Sequence, residues 1–296
     1  MRSTGPSMRL SGVILFAIIC AGADGARAQT PSASPAPAPK ASATPTLERE
    51  FFKNILQDQK AIWTSPFHLR GKDARWLAPL GLGTAALIAT DRRTGDEIGK
   101  HSAQLNASRI VSYAGSGYGA GGAAVTFYLV GRVTHNRRAR ETGILGAEAL
   151  VDSAIVVTAL KEITQRRRPT SAKGRGNFFA GGSSFPSGHA IEAWSLATVI
   201  ANEYHDHRLV QISAYGIATA VSLARFTGRN HYLSDVLVGS AMGYGIGRYV
   251  YRAHHRQTAG SGNEDKSSGR SRLMPLIAPQ YSRRAHEYGA TLVWSF

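Results

Sequence analysis

The sequence has one cysteine in 296 residues, Cys20, and it lies in an N-terminal apolar run. Downstream of that run the chain can form no disulfide, no thiolate metal site and no cysteine nucleophile. Acidic residues are scarce as well. Nineteen Asp and Glu face 35 Lys and Arg, a formal net charge of +16. A surplus of that size points to nucleic acid, an anionic membrane surface or a phosphorylated substrate, or else to a solvated basic surface. Charged residues overall make up 18% and hydrophobic ones 43%, which is enough apolar material for a core and excludes a wholly disordered chain.

Arg2 and Arg9 precede the apolar run Leu10 to Ala23, and Ala26-Arg27-Ala28 follows it. This order is that of a cleaved secretory signal over residues 1–28, and the run is shorter than a membrane-spanning helix requires. The expected location is therefore the periplasm or cell envelope. Residues 29–47 are rich in Pro and Ala and read as an extended tether. Residues 257–272 carry Gly, Ser and charge and read as a second linker. The apolar segments on either side of Ser282 to Glu287, within 273–296, suggest a β-hairpin.

Between the linkers, over 48–256, apolar stretches of helical length succeed one another: Trp76–Thr90, Ile110–Val130, Ile144–Ile163, Ala190–Tyr204, Val210–Arg225 and Leu233–Tyr251. An amphipathic, more polar helix over Leu47–Ile62 precedes them. No alternating strand pattern persists, so the domain is expected to be all-α, a six-helix bundle. Glu148, Asp152, Lys161 and Glu192 interrupt the stretches, and the mean hydropathy of the chain is −0.17. Both facts favour a soluble bundle of mutually buried helices over membrane spans, although membrane association stays open. Gly117, Gly119 and Gly122 make a formal dinucleotide fingerprint without the strand-turn-helix context it needs, and read instead as a small-residue contact with a neighbouring helix.

Three short segments carry the chemistry. Lys161 is followed after six residues by Arg168-Pro169. Pro169 is expected to end a helix, with both cations projecting from its last two turns toward a shared point. Ser187 and Gly188 stand where the next helix begins, and its unpaired amides and positive dipole end form a cradle for an anion. His189 sits at the rim of that cradle, suited to proton transfer. In the third segment, Arg225 precedes His231 and Asp235. Four residues apart on one helical face, Asp235 could hold one ring nitrogen of His231 and leave the other free.

The ordered set Lys161, Arg168-Pro169; Pro186-Ser187-Gly188-His189; Arg225, His231, Asp235 resembles the signature of the type 2 phosphatidic acid phosphatases, a superfamily shared with class A acid phosphatases and vanadium haloperoxidases. The resemblance spans about residues 60–252. It departs at Ala224, where the family usually has Ser. It implies a helical bundle and a phosphatase needing no metal or other cofactor. His231 would be the nucleophile, Asp235 its orienting partner and His189 the acid and base. Lys161, Arg168, Ser187, Gly188 and Arg225 would bind phosphate. The substrate would be a phosphate monoester: a lipid phosphate, an isoprenoid diphosphate or a small molecule. A vanadium-dependent haloperoxidase, with vanadate as cofactor, is the second enzyme reading; a non-catalytic envelope protein that binds anionic lipid is the third. Nucleic acid is not an expected partner, because the basic residues do not interleave with aromatics.

Other features admit bland readings. His205-Asp206-His207 and His254-His255 read as solvated connecting segments, and Arg137-Arg138 and Arg166-Arg167 as surface charge. Trp63, Trp76 and Tyr113 either line a substrate entrance or pack the core.

Overall fold

A computed structural model describes residues 47–99, 101–172, 175–260, 276–282 and 287–293. The expected signal, nearly all of the Pro/Ala-rich tether and residues 261–272 of the second linker lie outside the described residues. The chain divides into two units, the first ending at His254.

The first unit is all-α. Its helices are α1 (Leu47–Thr64), α2 (Ala74–Glu97), α3 (Ser102–Ala114), α4 (Gly117–Val133), α5 (Arg137–Thr164), α6 (Gly188–Glu203) and α7 (Arg208–Thr227), and α8 (Leu233–Gly260) begins within it. The expected count of six is too low. Besides the polar first helix, Ile110–Val130 is two helices, because Ser116 accepts the Gly119 N–H and caps a new helix at Gly117. Residues 257–260, expected in the second linker, belong to α8.

The core lies on α5, α6 and α8, where Leu145, Val156, Ile191, Val199, Ile246 and Val250 pack together with Leu47 of α1. The long linear stretch of small residues on α8 explains how closely α6 approaches. A β-carbon on Gly243 would lie 2.3 Å from the Ile191 carbonyl oxygen, and Gly239 and Gly247 meet the Ser187 and Ser195 carbonyls in the same way. Of the glycines expected to serve this purpose, Gly119 does so at the end of α3, where a β-carbon would lie 2.2 Å from the Tyr113 carbonyl oxygen; Gly117 only nears Glu192, and Gly122, like Gly121, faces open space.

The outer helices invert the usual amphipathic pattern. Helix α2 buries only Asp91 and Gly95, and α3 only Ser108 and Ser112. Trp76, Leu77, Leu82, Ile110, Val111 and Tyr113 are exposed, as are Val125 and Leu129 on α4 and Leu209, Ile212 and Leu223 on α7. Helices α4 and α7 bury Ala120, Ala124, Ala218 and Val221 in a second apolar cluster with α6, and turn these other apolar residues outward. Trp63, Trp76 and Tyr113 belong to this exposed surface and pack no core. Trp76 also stands fifteen residues before Asp91 on α2, about 22 Å along the axis. Helices α5 and α7 are long and apolar enough to cross a membrane.

In the second unit, β1 (Leu276–Ser282) and β2 (Glu287–Val293) pair antiparallel, with Leu276 opposite Val293 and Ser282 opposite Glu287.

Gly243→Val drives a branched side chain into the α6 backbone and is expected to destabilise the bundle by about 1–3 kcal/mol or more. Thermal unfolding of the purified chain checks this; Gly121→Val, in open space, should leave the midpoint nearly unchanged.

Candidate active site

All three motif segments meet at one end of α5, α6 and α8. Helix α5 stops earlier than expected, at Thr164, because Gln165 takes a left-handed conformation (φ 43°) as its C-cap. Pro169 is thus not the terminator, and Lys161 and Arg168 do not share a helical face: Lys161 is in the last turn of α5 and Arg168 in the loop beyond. They are brought together through α6. A β-carbon on Gly188 would lie 3.3 Å from Lys161 Nζ, so the lysine faces the first residue of that helix. Ser187 is its N-cap residue but makes no capping hydrogen bond through its side chain.

The loop is seated by backbone bonds. Ser184 N–H donates to the Arg166 carbonyl (2.8 Å), Ser187 N–H to the Asp235 carbonyl (3.0 Å), and Thr164 Oγ1 to the Phe185 carbonyl (2.9 Å). From the other side the end of α7 folds back, and the N–H groups of Asn230 and His231 both donate to the Arg225 carbonyl. These bonds carry His231 to the cradle, with Arg225 beside it.

The relation of His231 to Asp235 differs from the expected one. Helix α8 starts at Leu233, so His231 precedes it, and Asp235 in its first turn reaches back to accept the Tyr232 N–H (2.9 Å). Asp235 Oδ2 is 3.6 Å from His231 Nδ1, beyond a normal hydrogen bond. The nearer partner is the Ser184 carbonyl oxygen, 2.7 Å from Nδ1. A carbonyl oxygen only accepts, so Nδ1 carries the hydrogen and a neutral His231 has its lone pair on Nε2. Burial pushes the His231 imidazole below its ordinary value, against the opposing pull of Asp235.

Asp235 is fully buried, and its oxygens are met by three donors. Oδ1 accepts from Arg166 Nη1 (2.5 Å), and Oδ2 from Ser184 Oγ (2.5 Å) and Tyr232 N–H. The other Arg166 amino group donates to Asp91 Oδ2 at 2.8 Å, and Ser234 Oγ bridges Arg166 and Asp91. Phe178 and Tyr232 stack on the guanidinium at 4.7 and 4.5 Å. Arg166, expected on the surface, is 1% exposed. Sequence reasoning missed Asp91, Arg166, Ser184 and Ser234. The only signal for Arg166 was its place beside Arg168.

The phosphate-binding candidates present atoms with nothing to bind. Ser187 Oγ and Arg225 Nε are buried without a hydrogen-bond partner among the described residues. Arg168 makes one long contact with Ser183 Oγ, 3.5 Å. His189 feels all of this charge: burial first, then Arg225, His231, Lys161 and Arg168, lower its pKa from 6.5 to about 4. Its imidazole is neutral at pH 7 while no anion shares the pocket. The described geometry thus gathers three cations, a helix N-terminus, an imidazole with a free Nε2 and a second imidazole whose charge depends on the others.

Arg166→Met should cost about 3–5 kcal/mol, because it leaves Asp91 and Asp235 as buried, unpaired charges. Denaturant unfolding measures this, with Arg93→Met, which loses only an exposed pair, expected to stay within about 0.5 kcal/mol.

With the geometry described, comparisons with known proteins can be set beside it. Residues 142–259 match the family model of the PAP2 superfamily. Lipid A 1-phosphatase of Porphyromonas gingivalis is 33% identical over 70 residues, which is 23% of this chain and 16% of that protein. Two solved structures are similar. The transmembrane PAP2 type phosphatidylglycerolphosphate phosphatase of Bacillus subtilis has a TM-score of 0.46 at 19% identity, covering 70% of this chain and 95% of its own. LpxE of Aquifex aeolicus has a TM-score of 0.42 at 22% identity, covering 55% and 93%.

Proposed function

Starting from residues 142–259 as a member segment of the PAP2 superfamily, we propose that the chain is a membrane-associated phosphatase of the cell envelope that hydrolyses lipid phosphate monoesters through a phosphohistidine on His231. The observation that carries this reading is the 2.7 Å hydrogen bond from His231 Nδ1 to the Ser184 carbonyl. It fixes the tautomer whose Nε2 can attack phosphorus without first losing a proton.

In the first step the His231 Nε2 lone pair forms the bond to phosphorus as the bond to the leaving alcohol breaks. Protonated His189 gives its proton to the departing oxygen. In the second, neutral His189 takes a proton from a water that attacks phosphorus; the N–P bond breaks, and inorganic phosphate leaves with His189 charged again. Lys161, Arg168 and Arg225, with Ser187 Oγ and the amides at Gly188, hold the three phosphoryl oxygens whose charge the transition state redistributes. These cations supply the neutralisation that a metal would otherwise give, so no metal enters either step. Asp235 acts through position: it anchors Ser184 and supports the imidazolium-like charge that develops on His231.

The depressed pKa of His189 fits this sequence. Its acid form is disfavoured first by burial and then by the nearby cations, and a phosphate dianion compensates the latter. Substrate binding therefore raises the proton affinity of the group that must deliver a proton.

The lipid part of the proposal rests on the outward-facing apolar residues of α2, α3, α4 and α7, which give a phosphorylated lipid and its bilayer a surface to meet. The name of the P. gingivalis relative agrees with a lipid phosphate. Gly117 at the start of α4 lies near Glu192, one turn into α6, and Tyr113 and Tyr118 on either side of it in sequence are exposed.

His231→Ala should reduce turnover of a lipid phosphate in mixed micelles by about 10³-fold or more while leaving the fold intact. An alkaline denaturing quench of the native enzyme should trap a phosphohistidine that later acid treatment hydrolyses. Retained turnover in the variant refutes the assignment.

The His189 proposal has its own measurement. By NMR the ring should titrate near pH 4 in the free protein and substantially higher with bound vanadate. Because the folded chain binds protons at His189 and His231 less readily than the unfolded chain, stability should fall as pH drops from about 6.5 through 4.

A further inference from the structure

A second polar cluster lies far from the phosphate cradle, between α1, α5 and α8. Asp58, Glu148, Asp152 and His254 are each 2% exposed or less. His254, expected in a solvated connecting segment, is instead inside α8, with Nε2 at 2.9 and 2.8 Å from the two oxygens of Asp58. Asn54 Nδ2 donates to Glu148 Oε1 (3.0 Å), and Gln59 Nε2 to Asp152 Oδ1 (2.8 Å). Glu148 lies thirteen residues before Lys161 on α5, so about 20 Å of helix separates this cluster from the cradle.

Its composition does not balance. Three carboxylates are buried with one imidazole, and among the described residues none of them pairs with lysine or arginine. Among the described residues Glu148 Oε2 has no hydrogen-bond partner, and the Asp152 carboxyl lies against that of Asp58. An ionised carboxylate in such surroundings costs several kcal/mol unless a counter-charge sits against it. The counter-charge can be a proton or a cation, and geometry favours the cation. One ligand atom from each of Asp58, Glu148 and His254 lies within 4.8 Å of the other two. Oxygens and nitrogen at about 2.0–2.2 Å from a common ion require shifts of about an ångström from there.

We propose that Asp58, Glu148 and His254 form a structural site for one divalent transition-metal ion of the Zn²⁺ and Mn²⁺ class. Two carboxylates and a neutral imidazole balance a dication while Asp152 keeps its proton, and imidazole together with carboxylate suits these ions better than Mg²⁺ or Ca²⁺, which prefer oxygen alone. His254 would exchange its bond to Asp58 for one to the ion through the same Nε2. Asp152, held by Gln59, keeps an oxygen for a water on the ion. The site would clamp α1 onto the α5 and α8 core, leaving the phosphate chemistry to the other end.

The test uses the full chain purified in detergent, stripped with chelator and dialysed against Zn²⁺ alone or Mn²⁺ alone. Metal content by mass spectrometry should be about one equivalent in the native chain and at least ~10-fold lower in Glu148→Gln and His254→Gln. The ion should raise the native melting temperature by roughly 5 °C and leave the variants unmoved. If the variants fail to fold, Co²⁺ in the native chain decides: a visible ligand-field band supports the site, and its absence overturns it. Equal metal content in native and Glu148→Gln protein overturns it as well. So does a native chain that takes up no ion and is stabilised only by acidification, since protons alone then fill the cluster. None of these readouts depends on phosphatase activity, so failure of the proposed reaction leaves them unaffected.

Discussion

The carboxylate of Asp235 has no contact with water, and much of the site follows from meeting its charge inside the protein. Arg166 is the counter-ion, and a guanidinium buried that deeply needs its own second partner, which is Asp91 on α2. Phe178 and Tyr232 close over its faces. The remaining Asp235 oxygen takes the Ser184 hydroxyl, and this fixes the residue whose carbonyl receives His231 Nδ1. Charge burial at Asp235 is thereby converted, through two side chains and a loop, into the tautomer of a histidine. An Asp bonded directly to the ring would achieve the same tautomer. Here a neutral carbonyl touches the ring and the carboxylate stands 3.6 Å away, so the ring is oriented by the carbonyl, with the carboxylate just behind it.

The outer helices obey a different constraint. Helices that bury serine, glycine and aspartate while exposing leucine, isoleucine and tryptophan would be poorly matched to water, yet they suit a surrounding as apolar as the core itself. In lipid the inward face needs only close packing and polar satisfaction, both of which small residues provide. Ser108 pairs with Thr227 across α3 and α7, and Asp91 with Arg166 across α2 and the loop. Helix α2 is thus tied to the site, and α3 to α7, by polar bonds.

The sequence displayed the site better than it displayed the frame around it. The segments around Lys161, Ser187 and His231 were legible because phosphate chemistry needs particular residue types at short spacings. What lay outside such spacings was hidden. Asp91 and Arg166 are 75 positions apart, and nothing local distinguishes Arg166, which is buried, from Arg167, its neighbour. The end of α5 was misjudged because proline is a visible terminator and a left-handed glutamine is not. The division between α3 and α4 was missed because apolar continuity through Ser116 outweighed its capping potential. In each case the deciding term was tertiary or conformational, and composition carries neither.

The two polar clusters of the bundle are opposite in kind. At one end three cations gather at a helix N-terminus, with Glu192 acting on Lys161; at the other, three carboxylates are buried with one imidazole. Between them α5, α6 and α8 contribute Leu145, Val156, Ile191, Val199 and Val250, packed to near-zero exposure. Apolar side chains carry no charge and offer no proton path, so protonation or ion binding at one end reaches the other only through the positions of these helices. The α8 glycines make that route stiff, because at Gly239, Gly243 and Gly247 the backbones of α6 and α8 nearly touch. Where the two backbones come this close, α8 sets the position of α6, whose first turn follows Ser187 and carries Gly188 and His189.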